Sequence, residues 1–329
     1  MGKIAITLGD PAGIGPEIVL RSLAALGERS RSVVVVGNME VMRRASRLLG
    51  LTDILERVDV EEVPGDAVEP GRVQEEAGRQ AVMAIERAVR LAMSGEVEGI
   101  CTAPINKEAM KIAGSRFIDH TEMLAHLTGV RGLLTLFESG SLRTTFVTKH
   151  MPLRKAIESL DVASVVRCIL ETDTSLRLLG LGRRIALAAL NPHAGENGLL
   201  GKEEIDILAP AVEEASRVAD VRGPFPSDSV YHRAASGEFD CVVSLYHDQG
   251  HIASKMHDFY GTVSMNTGMP FLRTSVDHGT AFDIAWQGKA DHRSMLSAVE
   301  RCFAYSPLYR RNYEAFRDEV LERFPRLRA

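Results

Sequence analysis

The chain has 329 residues, 25% charged and 45% hydrophobic, with a formal net charge of -5. That is ordinary globular composition, with length enough for a large core and for two subdomains. Interspersed charge without a basic stripe argues against nucleic acid, and no apolar run approaches a membrane span. The Lys and Arg residues of the polar motifs are isolated, which suits a small anionic substrate. Cys101, Cys168, Cys241 and Cys302 are scattered, with no Cys-x-x-Cys pair. Free buried thiols, a cytoplasmic location and no secretion signal are expected.

Strand and helix signals alternate along the chain. Ile4 to Leu8 reads as a strand, Gly9 to Glu17 as a glycine turn, and about Pro16 to Leu26 as a helix with Pro at its first position. Ser32 to Val36 is a second strand, and a helix follows to about Leu49. Residues 55 to 73 show no period and read as loop or edge strand. Gln74 to Ser94 is a long amphipathic helix, with Ala77, Ala81, Ile85, Ala88, Val89 and Ala92 near one face. Val97 to Thr102 is a third strand and Asn106 to Ile112 a short helix. Leu133 to Phe137 and Leu142 to Val147 read as adjacent strands turning at Gly140. Val162 to Leu179 and Lys202 to Val218 read as helices, Ile185 to Leu190 and Cys241 to Leu245 as strands. A strand follows Gly261, and two helices close the chain, about Ser294 to Ala304 and Pro307 to Phe324. This alternation predicts an α/β fold.

Three histidines sit in short polar runs, each just after an apolar stretch that reads as a strand. They are His150 after Thr144 to Val147, His193 after Ile185 to Leu190, and His247 after Cys241 to Leu245. Side chains at strand ends can converge on one crevice, because ligands of open α/β sheets bind outside the carboxyl ends of the strands. Three neutral imidazoles suit a divalent ion such as Zn, Co, Ni or Fe, with positions left for substrate. Each of them alone also reads as an ordinary loop histidine.

Two glycine-containing turns stand out besides. Gly9 to Glu17 allows close backbone approach and adds the acceptors Asp10 and Glu17, but it lacks the spacing of a dinucleotide fingerprint. As a lone signal it is equally a structural turn. Asp277 to Ala285 reads as a glycine turn opening a helix, with free N–H groups for an anion. This second turn is similar to the adenine-side loop of the isopropylmalate and isocitrate dehydrogenases, whose opening Gly-Asp…Gly-Ile-Gly-Pro-Glu turn the first resembles.

Over almost its whole length the chain resembles the PdxA family of 4-phosphorylated hydroxy-acid dehydrogenases. The matching stretches are GDPAGIGPEI at 9–18, TAPINKEAM at 102–110, HTE at 120–122, NPHAGENG at 191–198, YHDQGHI at 246–252 and RTSVDHGTAFDIA at 273–285. NPHAGENGLLGKEE, YHDQGHI and HGTAFDIAW are most similar to the catabolic branch, which oxidises 4-phospho-D-threonate or its erythronate epimer. The alternative branch is 4-hydroxythreonine-4-phosphate dehydrogenase of pyridoxal phosphate biosynthesis. The resemblance implies a fold like isopropylmalate dehydrogenase, with two subdomains flanking a cleft: residues 1–125 with 270–329 on the nucleotide side, and 126–269 on the metal, substrate and dimer side. It implies NAD, one divalent ion of the Zn, Co, Mn or Mg class, and a homodimer with the active site near its interface.

The resemblance also implies site residues. His150, His193 and His247 bind the metal, with ligands contributed across the dimer interface. His120, Thr121, Lys255 and Arg273 contact substrate. Gly13, His278, Gly279, Thr280, Ala281 and Asp283 hold the nucleotide. Two positions depart from the family pattern. Asp119 stands where the family has Gly, and Ser264 where it has a substrate-binding Asn; Asn266, on the same strand face, is the substitute.

The implied reaction makes chemical sense of these residues. Oxidising a secondary alcohol requires loss of the hydroxyl proton as hydride leaves carbon, and the resulting β-keto acid loses carbon dioxide. A divalent cation assists both steps, and a terminal phosphate needs fixed cations such as Lys255 and Arg273. Lys107 is a phosphate or proton-relay candidate, or a solvated lysine at a helix start. Asp228 reads as a helix N-cap or as a relay. Asp248 reads as a residue that orients a histidine or as part of a relay. His251 is given no ligand role. Other readings are a metal-dependent hydrolase, which leaves the 278–285 loop unexplained, and a phosphate acyltransferase, which does not need the three histidines. A non-catalytic metabolite-binding protein would not need the intact motifs.

Overall fold

The computed structural model describes residues 2–327. In chain order the elements are β1 (Ile4–Thr7), α1 (Gly15–Leu26), β2 (Val33–Gly37), α2 (Met39–Leu49), β3 (Asp59–Glu62), α3 (Glu75–Ser94), β4 (Gly99–Thr102), α4 (Lys107–Ile112) and α5 (His120–Thr128). Then come β5 (Leu134–Ser139), β6 (Leu142–Phe146), α6 (Leu153–Glu158), α7 (Val162–Leu179), β7 (Ile185–Ala188), α8 (Ala209–Ala215), β8 (Val221–Phe225), α9 (Ser227–Ala235), β9 (Cys241–Ser244), α10 (His247–His257) and β10 (Val263–Thr267). The chain ends with β11 (Leu272–Ser275), α11 (Arg293–Ala315) and α12 (Arg317–Arg323). Two compact units result: residues 2–133 with 269–311 and 326–327, and residues 134–268 with 312–325.

The first unit is an all-parallel α/β sheet in the order β3-β2-β1-β4-β11. Every residue of β1, β4 and β11 is buried, as expected of parallel strands covered on both faces. The strand order reverses beside β1, between β2 and β4, which is where open α/β sheets bind ligands. Register places Thr7 opposite Thr102 and Thr102 opposite Ser275, so these hydroxyl residues form a row at the carboxyl edge.

The second unit orders its strands β10-β5-β6-β9-β7-β8. The first two pairings are antiparallel, and β6, β9, β7 and β8 are mutually parallel. His150, His247 and His193 therefore follow the carboxyl ends of three adjacent parallel strands.

Three expected elements differ. Residues 282–288 form successive turns, not a helix. Ala281 and Trp286 hold positive φ values of 43° and 63°, which no right-handed helix admits. The expected break before Pro307 is absent, and α11 runs through it. Ser306 there packs on Gly99, where a Cβ would lie 2.1 Å from its Oγ, and the flanking Phe303 and Tyr309 are buried. Packing on both sides of the proline outweighs its interior cost of roughly 3 kcal/mol. The expected helix from Lys202 to Val218 is shorter and begins as a π-turn over Glu204–Leu208. The four cysteines are buried free thiols, and no helix of the described residues is long and apolar enough to cross a membrane.

Candidate active site

In the second unit the β6 and β9 ends converge. Thr148 ties them together: its N–H (3.2 Å) and its Oγ1 (2.7 Å) both donate to the Leu245 carbonyl. His150 and His247 then face each other with ring centroids 5.5 Å apart. Together with Lys149, Met151, Tyr246 and Asp248 they line a cavity of about 250 Å³. Asp248 Oδ1 lies 2.8 Å from His247 Nδ1. A carboxylate oxygen accepts, so Nδ1 is the donor of that pair and Nε2 is the ring nitrogen left for a ligand. His251 backs the same ring at 4.1 Å and stacks on Phe146 at 4.7 Å. That placement makes it packing support for His247.

His193 stands apart from this pair. From His193 to Asn197 every residue has φ between 46° and 79°, a run of left-handed backbone that costs L-residues about 1–2 kcal/mol each. Such strain persists only where neighbours over-determine it. The run is closed by Leu200 N–H on the Gly195 carbonyl (3.0 Å) and Leu199 N–H on the Glu196 carbonyl (3.2 Å), and the segment that leads into it is held by Glu204, whose Oε1 accepts from Leu190 N–H (2.8 Å) and Asn191 N–H (2.7 Å) and Oε2 from the Asn191 amide (2.8 Å). Among the described residues no three His, Cys, Asp or Glu side chains stand close enough together to hold a metal ion. One chain thus brings two of the three histidines together.

In the first unit a different pair is built. Arg273 is buried, and Nε and Nη2 donate to Thr102 Oγ1 at 3.0 and 2.6 Å. Burial pulls its pKa down to about 10, which leaves it a cation at neutral pH. His120, in the first turn of α5, is also buried, and its Nε2 has no hydrogen-bond partner. Burial, then the Arg273 charge, holds its pKa well below the ordinary histidine value, so the ring is neutral. A fixed buried cation and an unsatisfied ring nitrogen suit an anionic, oxygen-rich ligand. Asp119 N-caps α5, accepting from the Glu122 N–H at 3.0 Å, and its charge favours the charged form of Arg273. Thr121 is half-buried and lines a separate cavity of about 430 Å³ with Phe117, Asp119 and His126.

The first turn and the 278–285 loop clasp one another. Ile14 N–H donates to the Thr280 carbonyl at 3.0 Å, and a Cβ on Gly13 would lie 2.9 Å from Thr280 Cβ. Trp286 donates from its backbone to Glu17 Oε1 (2.5 Å) and from Nε1 to the Pro11 carbonyl (2.9 Å). His278, Gly279 and Asp283 remain exposed on this platform, and Ala281 is half-buried.

Asp10, buried in the same turn, accepts from Ala12 N–H at 2.8 Å, while Oδ2 has no partner. Burial raises its pKa from 3.8 to about 6. A raised folded pKa contributes stability below the unfolded value, and that stability is lost as pH rises through about 6. Asp10→Asn should therefore match the wild type near pH 4 and exceed it by about 2–3 kcal/mol at pH 8. Urea unfolding at the two pH values tests this, and equal stability at pH 8 would contradict it.

The remaining expected residues are dispersed. Lys107 is exposed at the start of α4, whose cap is Asn106. Asp228 does not cap α9, as its sequence pattern suggested: Pro226 holds the cap position, and Asp228 is exposed in the first turn. Lys255 lies over the Phe259 ring at 5.8 Å. Ser264 and Asn266 are buried in β10, and the Asn266 amide donates to Thr135 Oγ1 at 3.1 Å. Sequence reasoning missed Gln249. It accepts from Leu245 N–H (2.6 Å) and donates to the Ala189 carbonyl (2.8 Å) and Ser227 Oγ (2.9 Å), stitching the ends of β9 and β7 to α9. The only signal was its place between His247 and His251.

Comparison with known proteins decides the family. The model described as "Pyridoxal phosphate biosynthetic protein PdxA" matches residues 28–302. The chain belongs to the PdxA family. It is 43% identical over 317 residues to the D-threonate 4-phosphate dehydrogenase of Salmonella typhimurium, covering 90% of this chain and 97% of that one. It is 45% identical over 316 residues to the D-threonate 4-phosphate dehydrogenase of Pectobacterium atrosepticum, with the same coverage of 90% and 97%. Among solved PdxA-family structures, 4-hydroxythreonine-4-phosphate dehydrogenase from Klebsiella pneumoniae aligns with a TM-score of 0.84 at 42% identity, covering 93% of this chain and all of that one.

Proposed function

We propose that this PdxA-family dehydrogenase uses NAD and one divalent ion to oxidise and decarboxylate a 4-phosphorylated four-carbon hydroxy acid, 4-phospho-D-threonate or its erythronate epimer. The observation that supports the reading is the buried cation Arg273 beside neutral His120, a pair whose chemistry suits an anionic group, in a chain 43–45% identical to proteins named for a phosphorylated threonate.

His150 and His247 fit a borderline metal: two imidazoles face one another, and Asp248 fixes the tautomer of one of them. His193 completes the set in this reading through a second copy of the chain, in a homodimer. When bound, a divalent ion lowers the pKa of the substrate hydroxyl and stabilises the negative charge left by loss of carbon dioxide. Lys255 and Arg273 bind phosphate, and Thr121, Ser264 and Asn266 complete the substrate contacts. Lys107 and Asp228, both open to solvent, exchange protons with water.

Gly13 and the 278–283 loop hold the nucleotide, with exposed Asp283 as its hydrogen-bond acceptor. Asp283→Ala should raise the KM for NAD by roughly 10-fold or more while the substrate KM changes little. Equal changes in both would oppose this assignment.

The test of the whole reading is NADH and carbon dioxide formation from NAD, 4-phospho-D-threonate and a divalent ion. Equal rates with unphosphorylated D-threonate would overturn it. The Klebsiella protein's name favours a second substrate, 4-hydroxythreonine 4-phosphate, which runs in the same assay.

A further inference from the structure

His247 is the first residue of α10, and Tyr246, at the cap position before it, makes no side-chain hydrogen bond to the helix. The turn that carries His247 and Asp248 is held instead by Gln249. Its Oε1 reaches back to accept from Leu245 N–H at 2.6 Å. A Gln or Glu at the third position of a helix reaches back in a similar way in a capping box. Its Nε2 points the other way and donates to the Ala189 carbonyl at 2.8 Å and to Ser227 Oγ at 2.9 Å. Ser227 Oγ donates to the same carbonyl at 2.6 Å.

The end of β9 is therefore gripped at both backbone groups of one residue. Leu245 gives its N–H to Gln249, and its carbonyl accepts from Thr148. His150 lies two residues beyond Thr148, and His247 two residues before Gln249. The two rings that stand 5.5 Å apart are thus each two residues from one continuous chain of bonds. Its far end is anchored too, because Ala189 N–H donates to the Phe225 carbonyl at the end of β8 at 2.8 Å. There is little room for slack. Gly250 lets α10 lie close on the strands: a Cβ there would come 2.5 Å from Ser244 Oγ and 2.7 Å from Phe146 Cε1.

A carboxamide suits this place by its chemistry. One end must accept and the other must donate twice. A carboxylate has no donor, and a flipped amide would set its NH2 against Leu245 N–H and its oxygen against the Ala189 carbonyl. The group is also uncharged, so it fixes the turn without adding a charge beside the imidazoles.

We propose that Gln249 is a positioning residue for the metal site, holding the first turn of α10 so that His247 and His150 address one divalent ion. The inference rests on the function proposed above, in which those two imidazoles are ligands. Without the amide the turn is free to shift against β9 and β7, and binding must then order it. Replacing groups that orient metal ligands typically costs about 10- to 100-fold in metal affinity. An ion already bound restores the order, so the loss falls on affinity and not on turnover.

The test measures Co2+ binding by calorimetry, without substrate or NAD, in the wild type, Gln249→Met and His251→Ala. Urea unfolding of each metal-free protein gives its stability. Met has about the length of Gln and lacks the amide. His251→Ala removes a buried ring from the same helix but leaves the Gln249 bonds in place. The Co2+ Kd should rise about 10- to 100-fold in Gln249→Met and stay within about threefold of wild type in His251→Ala, although both variants lose stability. In assays across a Co2+ series, the half-saturating concentration should rise with the Kd, while kcat at saturating Co2+ stays within about threefold. Gln249→Asn, whose amide is too short to span both ends, serves if the Met variant does not fold. A Kd within about twofold of wild type in a folded variant would overturn the inference. So would an equal rise in His251→Ala, which reports a loosened helix, or a kcat that stays low at saturating Co2+. If the wild type binds no divalent ion, the functional reading falls and takes this one with it. If it binds the ion and the Kd ignores Gln249, only the positioning role is lost.

Discussion

In the function proposed above, His247→Ala should fail to retain a divalent ion and lose at least about 1,000-fold in kcat, since charge stabilisation by a metal supplies several kcal/mol and each 1.36 kcal/mol is tenfold in rate. His150→Ala should behave alike, because its ring faces that of His247 at 5.5 Å. His251→Ala provides the contrast. Its ring touches His247 on one side, but on the others it stacks on Phe146 and meets Phe137 edge-on at 4.4 Å. Truncating that buried ring should lower stability by about 1–3 kcal/mol and leave metal stoichiometry intact. Asp248→Asn lies between the two, with metal affinity reduced about 10- to 100-fold because the Nδ1–H loses its charged acceptor. Elemental analysis of the purified variants decides the matter: full metal occupancy in His247→Ala would remove that residue from the ligand set.

The same residues show how much of this protein was legible in its sequence. The parallel strands were readable because each is a short apolar run ended by glycine or a polar cluster, and β1, β4 and β9 are buried at every position. That each key histidine follows a strand was equally readable. That the three strands are neighbours was not, because β6, β9 and β7 are brought side by side by long-range pairing. The left-handed run from His193 was invisible for a related reason. Local sequence disfavours it, and the residues that lead into it, Leu190 and Asn191, are held by Glu204 from beyond the loop. The helix expected after Gly279 failed because Trp286 spends its backbone N–H on Glu17, 269 residues away, where a helical turn would have used it locally. Asp119 was identified as an unusual residue at its position, but its capping of α5 depends on where that helix starts. In each case the part that was missed is a hydrogen bond between segments distant in sequence or an element boundary that such bonds set.

Arg273→Ala should raise the KM for the phosphorylated substrate about 10- to 150-fold and leave the NAD KM nearly unchanged, because a lost charge-assisted contact costs roughly 1.5–3 kcal/mol. The buried position makes the loss larger than at a surface arginine. The guanidinium remains charged despite burial that pulls its pKa to about 10, and Thr102 Oγ1 holds Nε and Nη2 in place. Protein dipoles thus pre-orient the cation, so substrate meets it without reorganisation. Arg273→Lys should recover only part of the affinity, since one ammonium cannot both satisfy Thr102 and present a planar fork to an anion. The partner ring sharpens the expectation. The Arg273 charge is one of the two causes keeping His120 neutral, so removing it should raise the His120 pKa toward the ordinary value. In wild type, His120 costs stability as pH falls below about 6.5, where the unfolded ring takes up a proton and the folded one does not. Arg273→Ala should flatten that acid-side loss. An NMR titration of His120 in the two proteins reads the shift directly, and a pKa that stays depressed by the same amount would show that desolvation alone sets it. A substrate KM equal to wild type in folded Arg273→Ala would remove the phosphate from this site.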